Sequence, residues 1–234
     1  MTSTVPERVL EEARAFGLDL SGTPGEQLAS YLAHLLETNR AFNLTSITDL
    51  DEAWTKHVLD SLTLAPELAT LPAGARVVDV GSGGGLPAIP LAIVRPDLAF
   101  TLLEATAKKA RFLADTAARL GLGNVIVASE RAESFGQGPG RATFDVATSR
   151  ALSRLPVLLE LTLPLLKVGG TSVAIKGEQA ELEVDEARRA LTLLHGEVTG
   201  TRRTATGVIV RIRKRADTPA RYPRRPGEPK RAPL

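Results

Sequence analysis

The chain is 234 residues long and contains no cysteine, one methionine and one tryptophan; aromatic residues make up only 4% of it. The absence of thiols excludes disulfides, thiolate-bound metals and iron–sulfur clusters. It equally excludes any mechanism that needs a cysteine nucleophile. Long apolar runs are missing too. The N-terminal MTSTVPERVLEEARAFG lacks the unbroken apolar core of a signal peptide. The most apolar later stretch, residues 155–168, is interrupted by Pro156, Glu160 and Pro164 and is too short for a bilayer. The expected location is the cytoplasm, with no membrane contact and no metal.

What is present is an ordinary globular composition, 43% hydrophobic and 24% charged. The length allows one α/β domain with a decorated end, or two small domains. Charge is segregated. From Arg211 onward there are nine Lys/Arg against two Asp/Glu, a net of +7, which leaves 20 basic and 25 acidic residues, a net of −5, for residues 1–210. A basic end on a mildly acidic body implies a polyanion partner.

The first 70 residues read as helices. Thr4 with Glu7, and Thr23 with Glu26, have capping-box spacing around Pro6 and Pro24. Leu28, Tyr31, Leu32, Leu35 and Leu36 fall on one helical face, and a further helix is expected over 52–64. From Arg76 the pattern alternates: RVVDV, FTLLE, NVIVA, FDVATS and GGTSVAIK are strand-like, with helical segments at 87–94, 107–120, 155–166 and 178–194 between and after them. HGEVTGT and GVIVRIRK close the series as an antiparallel pair. This predicts an α/β fold, a doubly wound and mostly parallel sheet with helices on both faces. The expected organisation is a helical extension over 1–70, the sheet domain over 71–215, and a Pro-rich arm over 216–234 that stays extended.

Four of the five residues 81–85 are glycine, and they follow the first strand. In a doubly wound sheet, ligands sit at the carboxyl ends of the strands, and this loop is the usual place. The dinucleotide pattern G-x-G-x-x-G fails from Gly81, where the third glycine falls on Leu86, and matches only weakly from Gly83. No Gly-Lys-Ser/Thr follows, so a P-loop is excluded. Asp79, Gly81, Gly83 and Gly85 do fit D-x-G-x-G-x-G. This resembles motif I of the class I S-adenosylmethionine-dependent methyltransferases. That resemblance implies the cofactor S-adenosyl-L-methionine, with Asp79, Gly81 and Gly83 against its methionine part. It also implies an acid at the end of the second strand for the ribose hydroxyls, where Glu104 stands. A carboxylate can accept two hydrogen bonds from a diol.

Further segments narrow the resemblance: NLTS at 43–46, HVLDSL at 57–62, DVGSGGGLPAIPLAIVRP at 79–96, KKARFL at 108–113, RAE at 131–133, SRA at 149–151, KG at 176–177 and the terminal YPRRPGEPKRAPL. In this order they resemble the bacterial 16S ribosomal RNA guanine-N7 methyltransferases, the glucose-inhibited division protein B family, over nearly the whole chain. Leu86 departs from it, since many members carry Phe there. The resemblance implies cofactor contacts at Gly81, Leu86, Ala132, Glu133 and Arg150, and the 16S ribosomal RNA or the small ribosomal subunit as substrate.

Guanine N7 has a free lone pair, so positioning rather than a catalytic dyad is expected. Arg150 and Lys176 are the positioning candidates. His57 and Lys176, with Arg221, Arg224 and Arg225 of the arm, are the candidates for RNA contact; Lys230 and Arg231 share the arm's charge. Asp60 and Ser61 could instead bond within the helices, and Trp54 reads as core. A monomer is expected. Two other readings stay open: a class I methyltransferase acting on a protein or small molecule, and a non-catalytic RNA-binding module.

Overall fold

The computed structural model describes residues 4–234. Seven strands form one sheet: β1 (Arg76–Val80), β2 (Ala99–Leu103), β3 (Val125–Ala128), β4 (Phe144–Arg150), β5 (Leu166–Lys176), β6 (Gly196–Arg203) and β7 (Val208–Lys214). Their order is β3-β2-β1-β4-β5-β7-β6. The first five are parallel, while β7 runs antiparallel to both β5 and β6. The chain winds outward from β1 to β3, then returns to β4 on the other side of β1. Loops leaving β1 and β4 therefore diverge and open a crevice at their carboxyl ends. The expected doubly wound fold is observed.

Alternation along β1 splits the interior in two. Val77 points to a core shared with Leu28, Leu35, Trp54, Ile89 and Leu113; Val78 and Val80 point to one shared with Leu155, Leu159, Phe144 and Leu194. The N-terminal helices thus share a core with the sheet. Both sheet edges are managed. β3 is four residues long with Ile126 64% exposed, and β6 carries a register shift between Val198 and Gly200.

Several expected boundaries move. Neither threonine acts as a cap: the first two helices, Glu7–Ala15 and Thr23–Asn39, start after Pro6 and Gly22 with no side-chain cap bond. The helix expected over 52–64 runs from Leu50 but widens into a π-turn at Trp54–Leu59. The helix expected over 178–194 is two, Ala180–Glu186 and Arg188–Leu194, meeting at the buried Ala187.

The largest correction concerns the C-terminal segment. It is not an extended arm; it folds back onto helices Leu155–Thr162 and Ala132–Gln137. Tyr222 is buried, and Arg141 donates to the carbonyls of Tyr222 (2.7 Å) and Thr218 (2.6 Å). The Glu160 carboxylate, with no exposed surface, accepts from the Arg224 backbone N–H (2.8 Å), its Nε (2.8 Å) and its Nη2 (2.6 Å). A buried charge needs an opposite charge and full hydrogen bonding, and here both come from the segment. Arg224 is thereby withdrawn from the expected RNA contacts.

Arg224→Ala would strand that carboxylate. The expected loss of unfolding free energy is about 3–5 kcal/mol, read as a lower urea midpoint. An unchanged midpoint would show that the pair does not hold the segment.

Candidate active site

Two cavities open at the carboxyl ends of the strands. The larger, about 730 Å³, lies between the glycine loop, the 44–47 segment, the π-turn and the β6–β7 turn. The smaller, about 510 Å³, lies between the ends of β1 and β2, helices Ala132–Gln137 and Leu155–Thr162, and the C-terminal segment. They meet at Gly81, Lys109 and Ala151, which line both.

The loop between them follows from its glycines. Gly81, Gly83 and Gly85 all have positive φ. At Gly85 (φ +97°) an added Cβ would lie 2.6 Å from Ile89, so only glycine packs there. At Gly83 (φ +55°) an added Cβ would meet nothing nearer than the Gly81 carbonyl oxygen at 3.8 Å. The loop is packed from below and open above. Two ties fix it. Gly83 N–H donates to Glu104 Oε2 (3.0 Å), and the buried Tyr31 hydroxyl donates to the Gly84 carbonyl (2.7 Å). Tyr31 reads in the sequence only as one more residue of an apolar helical face.

Glu104 also accepts from Thr106 N–H (2.7 Å) through Oε1 and lines the smaller cavity. Two backbone bonds leave half of a carboxylate's acceptor sites for a diol. Asp79 lines neither cavity. It lies buried under the loop, with Oδ1 accepting from Thr148 Oγ1 (2.8 Å) and Oδ2 without a partner. Burial raises its pKa to about 7, against the opposing hydrogen bond from Thr148; the Ser82 hydroxyl donates to the Asp79 backbone carbonyl (3.0 Å). Ala132 and Glu133 line the smaller cavity, and Leu86 the larger.

On the far side, Arg150 sits at the end of β4 and lines the larger cavity alone. It donates to Asp60 Oδ2 (3.0 Å) and the Lys56 carbonyl (2.6 Å), and its Nη2 lies 3.3 Å from His57 Nδ1. His57 Nε2 is 2.8 Å from Thr45 Oγ1, and Thr206 Oγ1 donates to the other Asp60 oxygen. Burial, then the Arg150 charge, lowers the His57 pKa to about 4. A neutral His57 accepts from Arg150 at Nδ1 and donates from Nε2 to Thr45. Sequence reasoning missed Thr206; Thr45 lay within the quoted NLTS without a role.

Lys176 is reassigned. Its ammonium pairs with Glu183 Oε2 (2.7 Å) and donates to the Ser153 carbonyl (2.6 Å). A neutralised, mostly buried ammonium is a poor phosphate ligand. Trp54 is fully buried, as core. Ser61 donates to the His57 carbonyl, within the helices. Arg221 and Arg225 are exposed.

Comparison with known proteins bears on this geometry. Residues 25–208 match the family model described as rRNA small subunit methyltransferase G. The chain belongs to that family. It is 50% identical over 222 residues to the ribosomal RNA small subunit methyltransferase G of Sorangium cellulosum, covering 95% of this chain and 93% of that one. It is 41% identical to the protein of the same name from Lactobacillus delbrueckii, covering 98% and 99%. Among solved structures, a SAM-dependent O-methyltransferase of Thermotoga maritima aligns at a TM-score of 0.52 and 18% identity, over 78% of this chain and 71% of that one; this likeness speaks for the fold alone. The family's cofactor, S-adenosyl-L-methionine, fits the residues present: the open space above Gly83 and the spare acceptors of Glu104, which lines the smaller cavity, are what a ligand with a ribose requires.

The two buried titrating groups act on stability in opposite directions. Asp79, raised to about 7, gives stability that is present below its ordinary 3.8 and lost as pH rises towards 7. His57, lowered to about 4, gives stability that is present above 6.5 and lost as pH falls towards 4. Asp79→Asn should therefore gain on wild type as pH goes from 4 to 7, by ~4 kcal/mol at most. His57→Asn should gain as pH goes from 6.5 to 4. Urea denaturation across this range decides; curves parallel to wild type would remove both assignments.

Proposed function

We infer that this chain transfers a methyl group from S-adenosyl-L-methionine to N7 of a guanine in the 16S ribosomal RNA of the small ribosomal subunit. Family membership carries the reading, at 50% identity over 95% of the chain. The two cavities that meet at the glycine loop support it, since a group transfer needs a donor chamber and an acceptor chamber in contact.

When bound, the cofactor supplies an electrophilic methyl group on its sulfonium. In this proposal Gly81, Gly83 and Leu86 hold its methionine part where the two cavities meet, Glu104 its ribose hydroxyls, and Ala132 and Glu133 its adenine, while Asp79, expected to touch the cofactor, is buried beneath the loop and supports it from below. The larger cavity takes the guanine. N7 offers a lone pair with no proton to remove, so no general base is required. The neutral, fully engaged His57 agrees with that. Arg150 and His57 serve as positioning residues. The methylated ring carries positive charge, and two cations that line the larger cavity, Arg150 and Lys176, are already balanced by Asp60 and Glu183. Arg221 and Arg225, exposed on the surface, are the phosphate contacts retained from the basic end. A monomer is the proposed active unit, and the cytoplasm, where small subunits are built, is its proposed location.

The test is to incubate the protein with methyl-labelled cofactor and unmethylated small subunits, then map the modified base. Label on a guanine N7 of 16S RNA is expected; label on protein, or on an exocyclic amine, would overturn the reading.

Two variants test the site. Gly83→Val should fold yet lose cofactor binding in calorimetry, because a branched side chain at positive φ would fill the open space above the loop. Glu104→Ala should weaken binding by about 1–3 kcal/mol, the scale of lost charge-assisted hydrogen bonds. Unchanged affinity in either would move the site elsewhere.

A further inference from the structure

We propose that the C-terminal segment 219–232 forms one wall of the S-adenosylmethionine chamber, with Pro229 and Lys230 as cofactor-facing residues. The inference rests on the cofactor reading above. Its starting point is that Gly227, Pro229 and Lys230 line the 510 Å³ cavity on the side of Ala132 and Glu133.

The segment is anchored far more firmly than a solvated arm requires. Beyond the Arg224–Glu160 pair, Gln137 donates to the Pro223 carbonyl (2.6 Å), and Gly227 N–H donates to Glu133 Oε1 (2.8 Å). Glu133 thereby joins the chamber wall directly to the segment. The helix Leu155–Thr162 does the same from below. Glu160 on this helix holds Arg224, while Val157 and Leu161 face the chamber. Segment and helix act as one unit.

The chemistry of this end suits an adenine. Leu103, Val157, Leu161 and Pro229 are apolar, and a planar aromatic ligand gains from burial between such surfaces. The buried Glu133 carboxylate keeps acceptor capacity beyond the bond from Gly227, and an exocyclic amine is a matching donor. Lys230 is exposed at the rim. The segment's anchoring bonds, from Arg224 and Gly227, are directed inward, to the wall of the chamber.

Two measurements on the full chain test this. In the first, trypsin cleavage after Lys230 and Arg231 is timed with and without saturating S-adenosylmethionine. At least fivefold protection is expected, and equal rates would overturn the proposal. In the second, calorimetry compares wild type with Pro229→Asp, which leaves the Arg224–Glu160 anchor in place and whose folding is checked by thermal melting. The ligands are S-adenosylmethionine and methylthioadenosine, which carries the adenosine end alone. Both ligands should bind the variant at least tenfold more weakly, by similar factors. Wild-type affinity in a folded Pro229→Asp would overturn the proposal. A wild-type protein that binds neither ligand would instead overturn the cofactor reading itself. RNA affinity at several salt concentrations gives the converse check: a Pro229→Asp protein that flattens the log–log salt slope while keeping wild-type cofactor affinity would overturn the proposal and return the segment to a phosphate-binding role.

Discussion

The structure depends on one topological constraint, the reversal of winding between β1 and β4. A parallel strand must be followed by a crossover, and right-handed crossovers cover the face on which they travel. Where consecutive crossovers leave in opposite directions, no helix fills the gap. The glycine loop after β1, Glu104 after β2 and Arg150 at the end of β4 all face that gap. Residues far apart in the chain meet there because the strands are parallel and their ends coincide.

The site is held from both sides of the sheet. The Tyr31 hydroxyl reaches the glycine loop from the N-terminal helices, and Asp60 reaches Arg150 from the π-turn region. On the opposite face, helix Leu155–Thr162 and the C-terminal segment build the smaller cavity. π-turns recur at functional sites because an extra residue per turn re-aims the side chains around it. Here the turn carries His57, which touches both Thr45 and Arg150.

Much of this was legible in the sequence, for identifiable reasons. Strand and helix alternation gives a strong periodic signal, and D-x-G-x-G-x-G marks a loop whose backbone angles few other residues allow. The placing of Glu104 at a strand end followed from the same alternation. The C-terminal segment was misread because composition reports charge but not partner. Its prolines and arginines look like a solvated arm in isolation. The clue lay elsewhere, in LPVLLELT: a lone Glu160 inside an apolar helix demands a cation, and Arg224 is that cation. Lys176 hides its partner in the same way, since Glu183 stands on the next element, across a turn. Ion pairs between distant elements leave no periodic trace.

The two ends of the sheet differ in how they meet other molecules. At the β6 end, the register shift and the arginines at 202 and 203 make the unpaired backbone hard to extend. At the β3 end, the defence is brevity alone: Ile126 stands in water on one face, and Val125 and Val127 line an apolar groove with Ala114 and Ala118 on the other. At high concentration, chains that stick would do so first along β3. A charge on this strand would oppose such pairing, so solubility here is set by an edge that leads directly into the loop lining the smaller cavity.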